Sequence, residues 1–293
     1  MGKHSQWLPV VNLLIAATLW GLFWYPLRLF ADYGLSGLWS SLLIYMGTLP
    51  VLVYVLYGRR HELARSPGML LLIALASGWC NTAFILAMID GHVVRVLLLF
   101  YLSPLWTVIL GFLFLGERPN RFGVITIVLA MLGAVVMLWD EEMGLPFPQS
   151  TADWLALSSG MAFSVTNVSV RYTQTVSVRV KTIMAWIGAV VITGLLIGLD
   201  GQALGATNYM VVVAALLFGL TVMVIMTMAV QYGVTHMPAH RSAVILLFEI
   251  VVGAVSAFLL TDEIMTHQEW FGGAMVILAA YLSARIPDES VTV

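Results

Sequence analysis

The stretch Ser103-Pro-Leu-Trp-Thr-Val-Ile-Leu-Gly-Phe-Leu-Phe-Leu-Gly-Glu-Arg-Pro-Asn120 decides the fold, because it is an apolar run that ends in an acid at a polar boundary. A second version of this run ends at Glu263. Glu117 matches Glu263 at an offset of 263 − 117 = 146, and the same offset places Arg95 on Arg241. A repeated unit of this length predicts an internally duplicated fold.

Composition places the chain in a membrane. Of its 293 residues 61% are hydrophobic and only 10% are charged, and the mean hydropathy is +0.97, far from the balance of a soluble domain. The net charge of −2 and the scattered basic residues give no surface for nucleic acid. Cys80 is the single cysteine, so an intrachain disulfide and a cysteine-based metal site are both excluded.

Ten apolar runs approach the roughly 20 residues that a bilayer-spanning helix needs. A polar stretch at 140–148 divides them into two sets of five. The sequence therefore predicts an all-α integral membrane protein of about ten transmembrane helices, built as two five-helix repeats, residues 1–145 and 146–293. Because five is odd, the second repeat must be inverted relative to the first. The runs are 8–30, 36–57, 68–89, 93–115, 121–139, 152–170, 182–199, 208–230, 238–260 and 269–285.

The Lys and Arg residues predict the orientation, since positive residues favour cytoplasmic loops. With a cytoplasmic N-terminus, only Arg28 and Arg95 fall outside. Both termini are then predicted to be cytoplasmic, and Glu117 and Glu263 lie on opposite sides of the membrane. The residues on the inner side are Lys3, Arg59, Arg60, Arg65, Arg118, Arg121, Arg171, Arg179, Lys181, Arg241 and Arg285.

Three features of the repeated runs indicate a binding site near the middle of the membrane. Ser103-Pro104 lies about a dozen residues before Glu117, where proline frees a carbonyl one turn earlier. A packing kink is the alternative reading. Glu249 lies well inside the hydrocarbon layer, where an unpaired charge is costly, so it faces a wet cavity, has a partner or is protonated. Tyr101, one turn from the proline, is predicted to line the cavity.

Further candidates lie inside other runs. An amide in lipid needs a partner, so Asn81 and Asn167 either join helices or bind a ligand. The register that places Arg28 on Arg171 (171 − 28 = 143) also sets Trp20 opposite Phe163 and Trp24 opposite Asn167. The predicted substrate-binding residues are Trp20, Trp24, Trp79, Asn81, Tyr101, Ser103, Phe163, Asn167 and Glu249, and for any one aromatic residue core packing is the alternative.

The residues also resemble a known family. The runs ending Leu115-Gly116-Glu117 and Thr261-Asp262-Glu263, each followed by a Phe-Gly helix, resemble the drug/metabolite transporter superfamily with its EamA-type repeats over nearly the whole chain. Trp20-Gly21 and the aromatic interior are similar to YddG-type aromatic amino-acid exporters. The resemblance implies export of amino acids across a bacterial inner membrane by alternating access. Thr261 and Asp262 depart from Leu-Gly-Glu, and both acids are expected to end helices and bind neighbouring backbone or Arg groups.

Other classes of function find less support in the sequence. No His-Glu-x-x-His, Gly-x-Ser-x-Gly or potassium-filter motif occurs, so we expect neither an enzyme nor a cofactor. His236 and His240 have a spacing that suits a shared metal, but the sequence offers no third ligand, and no metal is predicted. Two alternatives stay open: a same-fold exporter of another metabolite or drug, and a membrane receptor or scaffold without transport. The expected partners are amino acids and the lipid bilayer; the oligomeric state is open, and a monomer suffices.

Overall fold

The computed structural model describes residues 4–90, 93–139, 148–205, 207–260 and 265–285. Within these ranges the chain is helical and contains no strand. Glu263 and the polar stretch 140–147 lie outside them. The helices are α1 His4–Leu22, α2 Trp24–Asp32, α3 Gly37–Gly47, α4 Leu49–Arg59, α5 Pro67–Asp90, α6 Val93–Phe100, α7 Ser103–Leu110, α8 Arg121–Leu138, α9 Thr151–Tyr172, α10 Val178–Asp200, α11 Tyr209–Phe218, α12 Val224–His236, α13 Ala239–Leu246, α14 Phe248–Leu260 and α15 His267–Arg285.

Several apolar runs form two consecutive helices instead of one. A single π-helical turn, Gly219–Met223, joins α11 to α12, and another, Gly111–Leu115, extends α7. Seven helical segments of the described chain are long and apolar enough to cross a membrane, or eight if α3 and the bent segment Leu49–Ala64 count as one span. The multi-pass membrane architecture is thus present, and ten as the number of crossings stays a prediction.

The boundaries of the helices follow local signals. Asn120 caps α8 by accepting a hydrogen bond from the Gly123 amide at 2.8 Å, and such caps supply a partner for an amide that the first turn leaves free. Ser150 and Asp153 form a capping box at the start of α9. Asp153 also accepts a hydrogen bond from Arg95 Nε at 2.8 Å, which fixes the start of α9 beside α6.

The helices pack in pairs between the two halves of the chain. α8 lies along α15, α5 packs against α9 and α10, and α1 packs against α12 and α14. The tightest crossings use glycine: a Cβ at Gly188 would overlap the backbone carbonyl of Ala74 on α5, and one at Gly219 would overlap that of Ile44 on α3. Small residues of this kind let membrane helices approach closely.

The outer surface is strongly apolar. Large hydrophobic side chains stand exposed along most of the helices, among them Leu199, Phe122, Phe271 and Val53. A surface of this kind is unsuited to water and matches the hydrocarbon layer of a bilayer, which agrees with the composition.

Candidate functional site

The break between α6 and α7 carries the first half of the site. α6 ends at Phe100 and α7 begins at Ser103, so that Tyr101 and Leu102 lie between them. Pro104 has no N–H, so the Phe100 carbonyl loses the helical partner that would lie four residues on. Gly160 of α9 packs against this carbonyl, since an added Cβ would lie 2.6 Å from the oxygen. The backbone at the break therefore faces the interior of the bundle.

Hydroxyl groups from two helices hold the break in place. The Ser103 carbonyl accepts hydrogen bonds from Ser164 Oγ of α9 at 2.7 Å and from Thr107 Oγ1 at 3.0 Å. Ser103 and Ser164 are both buried. The start of α7 is thus attached to α9, and the free carbonyl that the sequence predicts lies at Phe100.

A second break, between α13 and α14, carries the other half of the site. α13 ends at Leu246 and α14 begins at Phe248, which puts Glu249 in the first turn of α14. A helix N-terminus favours a carboxylate. Glu249 Oε1 accepts a hydrogen bond from Tyr101 Oη at 2.7 Å. The two broken segments, one from each half of the chain, therefore meet through this pair.

The pair borders a narrow cavity with room for about one water molecule. Its aromatic wall is continuous: the Phe100 ring lies 5.3 Å from that of Tyr101, 5.7 Å from Phe163 and 4.9 Å from Phe84, between centroids. Glu249 is the only acidic or basic residue among the described residues that line the cavity. The lining residues are Phe100, Tyr101, Ser103, Pro104, Phe163, Ala243, Leu246, Leu247 and Glu249.

Four of the nine residues predicted from sequence line this cavity: Tyr101, Ser103, Phe163 and Glu249. Trp20 and Trp24 belong to the neighbouring first span. The Trp20 ring packs edge-on against Phe23 with 5.3 Å between centroids, and Trp24 Nε1 donates to Ser256 Oγ of α14 at 2.9 Å. Both tryptophans thus lie outside the lining and Trp24 attaches the first span to α14.

The remaining three residues have different surroundings. Trp79 is 38% exposed and donates to Ser158 Oγ at 3.2 Å. Asn81 Oδ1 accepts from Tyr45 Oη at 2.8 Å, which joins α5 to α3. Asn167 is buried and lies one turn from Phe163 on the same face of α9. Asn81 thus joins two helices through this bond, and its role in binding a ligand stays a prediction.

Sequence reasoning missed Phe84 beside the cavity and, among the lining residues, Phe100, Ala243, Leu246 and Leu247. Phe100 directly precedes Tyr101, and Leu247 lies at the repeat offset from Tyr101 (247 − 101 = 146), so both were within reach. Phe84 gave no signal, because it is one of many apolar residues of α5 and only tertiary packing brings it to Phe100.

The acid of the repeated run, Glu117, lies at one end of the bundle, away from the cavity. Its Oε1 pairs with Arg171 Nε at 3.0 Å, and its Oε2 accepts from the Ala239 amide at the start of α13 at 2.7 Å. Glu117 thus binds an arginine and a helix N-terminus, as expected from sequence. The corresponding contacts of Glu263 lie outside the described residues.

Lys181 lies close to this ion pair and is fully buried. Its ammonium donates to the carbonyl oxygen of Val170 at 2.8 Å, to that of Thr173 at 3.2 Å and to Thr235 Oγ1 at 2.9 Å. The acceptors are therefore neutral oxygens at the ends of α9 and α12. We call this part of the molecule, defined by Glu117, Arg171, Lys181 and Thr235, the Glu117 end.

The first part of the chain matches a known protein family. Residues 7–139 match the EamA-like transporter family. This segment includes the broken span α6–α7 and Glu117. The match agrees with the resemblance that the run ending at Glu117 carries.

Among curated proteins, the chain is 34% identical to protein RarD of Salmonella typhi over 81 residues, 27% of this chain and 28% of that protein. It is 28% identical to the uncharacterized transporter PA0485 of Pseudomonas aeruginosa over 138 residues, 43% of this chain and 45% of that protein. The matched stretches thus span less than half of these relatives. One crystal structure covers 94% of this chain and 96% of its own with a TM-score of 0.77 at 16% identity, which shows a shared fold.

Proposed function

From the match of residues 7–139 to the EamA-like transporter family, we propose that the protein exports neutral amino acids, aromatic ones included, from the cytoplasm by alternating access. The observation that carries the proposal is the Tyr101–Glu249 hydrogen bond of 2.7 Å at the junction of two broken segments. A carboxyl group in that position is a partner for an ammonium group. The aromatic wall formed by Phe100 and Phe163 suits apolar side chains.

An inverted repeat of two five-helix units, 1–145 and 146–293, provides the means for alternating access. The inverted repeat is supported by contacts that recur in both units at one difference in residue number, 141. Gly47 and Gly78 match Gly188 and Gly219 (188 − 47 = 141; 219 − 78 = 141), and all four lie at tight helix crossings. Tyr45 and Trp186 share the offset (186 − 45 = 141), and each donates to the second helix after its own: Tyr45 of α3 to Asn81 of α5 at 2.8 Å and Trp186 of α10 to Thr227 of α12 at 2.9 Å.

The proposed setting is the inner membrane of a bacterium, with both termini in the cytoplasm. The Glu117 end holds Arg171 and Lys181. The exposed Arg60 directly follows α4, and the exposed Arg179 lies in the first turn of α10. Positive residues of this kind favour the cytoplasmic side. The Glu117 end is then the cytoplasmic end, and a monomer with its substrate and the bilayer is the simplest functional unit.

In this proposal Glu249 has one of two roles. As a charge partner, it accepts the substrate ammonium after Tyr101 gives up its hydrogen bond. As a proton carrier, it also releases a proton when the ammonium binds, which couples export to proton entry. Export down the amino-acid gradient without proton coupling fits equally well, since no further acid among the described residues borders the cavity.

A second candidate function is export of cationic amines. It is favoured by the absence of Lys or Arg among the described residues that line the cavity, which leaves the carboxylate of an amino acid without a charged partner. Neutral donors have to serve instead. Asn167, one turn from Phe163 on the same face of α9, is the donor proposed here.

The test is exchange of labelled phenylalanine by the purified protein in liposomes. Unlabelled phenylalanine should compete, phenylpropionate, which lacks the ammonium, should not, and phenethylamine, which lacks the carboxylate, separates the two candidates. Glu249→Gln should abolish exchange or remove its pH dependence. Glu269→Gln serves as the control, because Glu269 lies in the first turn of α15 and does not line the cavity. If Glu249→Gln exchanges phenylalanine at the wild-type rate at every pH, Glu249 has neither role. If neither phenylalanine nor phenethylamine exchanges, both candidates are wrong.

A further inference from the structure

A second pocket lies between α6 and α8, on the other side of Tyr101 from Glu249. It is larger than the cavity at Glu249, and its walls are almost wholly apolar. Trp139, at the end of α8, borders it and is itself partly exposed. Besides Tyr101, the lining residues are Leu98, Leu102, Met131, Ala134, Val135 and Trp139.

Tyr101 is the one residue that lines both spaces among the described residues. Its hydroxyl binds Glu249 on one side, while its ring closes the pocket on the other. It lies in the two-residue break between α6 and α7, so its backbone is not part of a continuous helix. A change in the Tyr101 side chain therefore alters both spaces together.

We propose that the α6–α8 pocket is the apolar subsite of the transport site and receives the side chain of the substrate. This inference rests on the proposed function. The substrate ammonium replaces the Tyr101 hydroxyl at Glu249, and the released tyrosine ring opens the way between the two spaces. The ammonium then lies at Glu249 and the side chain lies between α6 and α8.

Space and polarity together select this occupant. The cavity at Glu249 has room for about one water molecule, and the α6–α8 pocket is about three times as large. A leucine or phenylalanine side chain therefore fits only when the Tyr101 ring leaves its place between the two spaces. The α6–α8 pocket supplies apolar walls directly beside the carboxyl group. A lipid chain would meet a closed inner wall formed by Tyr101 and would leave the hydrogen bond to Glu249 unused, whereas an amine with an apolar side chain uses both.

The experiment reduces the volume of the pocket by enlarging one of the side chains that line it. Val135→Phe adds a ring to the α8 side of the pocket, and Leu132→Phe adds the same ring to a residue of α8 that is 51% exposed and does not line the pocket. For each variant in liposomes, the half-saturating concentrations of phenylalanine, leucine and alanine are measured. Val135→Phe should raise the values for phenylalanine and leucine about tenfold or more and leave that for alanine unchanged, and Leu132→Phe should change none.

Each other outcome decides the question. Equal changes for alanine and phenylalanine, or no change in Val135→Phe, overturn the subsite while the proposed transport function stands. If Val135→Phe does not fold, Leu98→Phe fills the pocket from α6 and gives the same comparison. If the wild-type protein exchanges no amino acid, the proposed function fails, and the subsite fails with it.

Discussion

The crossing of α5 and α10 allows a stability prediction with an internal control. Gly188 of α10 lies against the backbone of α5, and an added Cβ would overlap the Ala74 carbonyl. Gly198, on the same helix, has nothing within 4 Å of the position where its Cβ would lie. One substitution to alanine thus meets a backbone atom, and the other meets open space.

The two substitutions should change the free energy of unfolding in opposite directions. Alanine is favoured over glycine inside a helix by about 0.5–1 kcal/mol. Gly198→Ala should raise the free energy of unfolding by an amount near the lower end of this range, because residue 198 lies in the last turn of α10. Gly188→Ala has the same gain, but overpacking costs about 1–3 kcal/mol. A backbone carbonyl cannot rotate away as a side chain can, so the cost should lie near the upper limit and the net loss should be about 2 kcal/mol.

The measurement is the thermal unfolding midpoint of each purified variant in the same detergent, followed by tryptophan fluorescence. A loss of this size should lower the midpoint by several degrees at about 2–4 °C per kcal/mol, and Gly198→Ala should match or exceed the wild type. If Gly188→Ala unfolds at or above the midpoint of Gly198→Ala, the helices are not in backbone contact, and the reasoning about the crossing is wrong.

Two further predictions concern the ends of the bundle. Single cysteines near Met143, outside the described residues, should react with an impermeant thiol reagent in whole cells, and single cysteines near Arg60 should not. The reverse pattern contradicts the inverted repeat. The native Cys80 is buried and adds no background labelling. Glu117→Ala should lower the unfolding midpoint, because it leaves the Ala239 amide and Arg171 without their carboxylate at a cost of about 1–3 kcal/mol. The control is Arg118→Ala at an exposed residue, which should leave the midpoint nearly unchanged. Equal midpoints for the two variants would show that the Glu117 contacts add no stability.

The sequence predicted the positions of the helices well, because lipid demands long apolar segments whatever their packing. The break at Pro104 was also predictable, since a proline removes a helical hydrogen bond. The break at Leu247 was not: Ile245-Leu246-Leu247-Phe248 contains no glycine or proline. The eighth run was predicted to end at residue 230, but α12 continues to His236, where Thr235 accepts hydrogen bonds from Lys181 and Arg171.

The candidate site was predictable only in part, for a reason specific to membranes. In a soluble helix apolar periodicity shows which face is buried, but here the lipid and the core are both apolar. Trp79 and Phe84 are both aromatic residues of α5, yet Trp79 is partly exposed and donates to Ser158, while Phe84 packs on Phe100. Glu249 was identifiable because a buried acid is unusual at that depth, but its partner Tyr101 required the structure.

Two groups of helices meet at the Glu117 end, and the buried Lys181 holds one of these groups together. Its three hydrogen bonds join α10 to the ends of α9 and α12, while Glu117 joins the end of the α7 span to α13 through the Ala239 amide. The Glu117–Arg171 ion pair spans the line between the two groups and is partly exposed, so breaking it costs on the order of 1 kcal/mol. Separation along this line at the Glu117 end would keep the lysine's bonds intact. Nearer the cavity the Ser164 hydrogen bond to the Ser103 carbonyl holds α9 to α7, so an opening that starts at the Glu117 end would reach the cavity only when this second bond breaks.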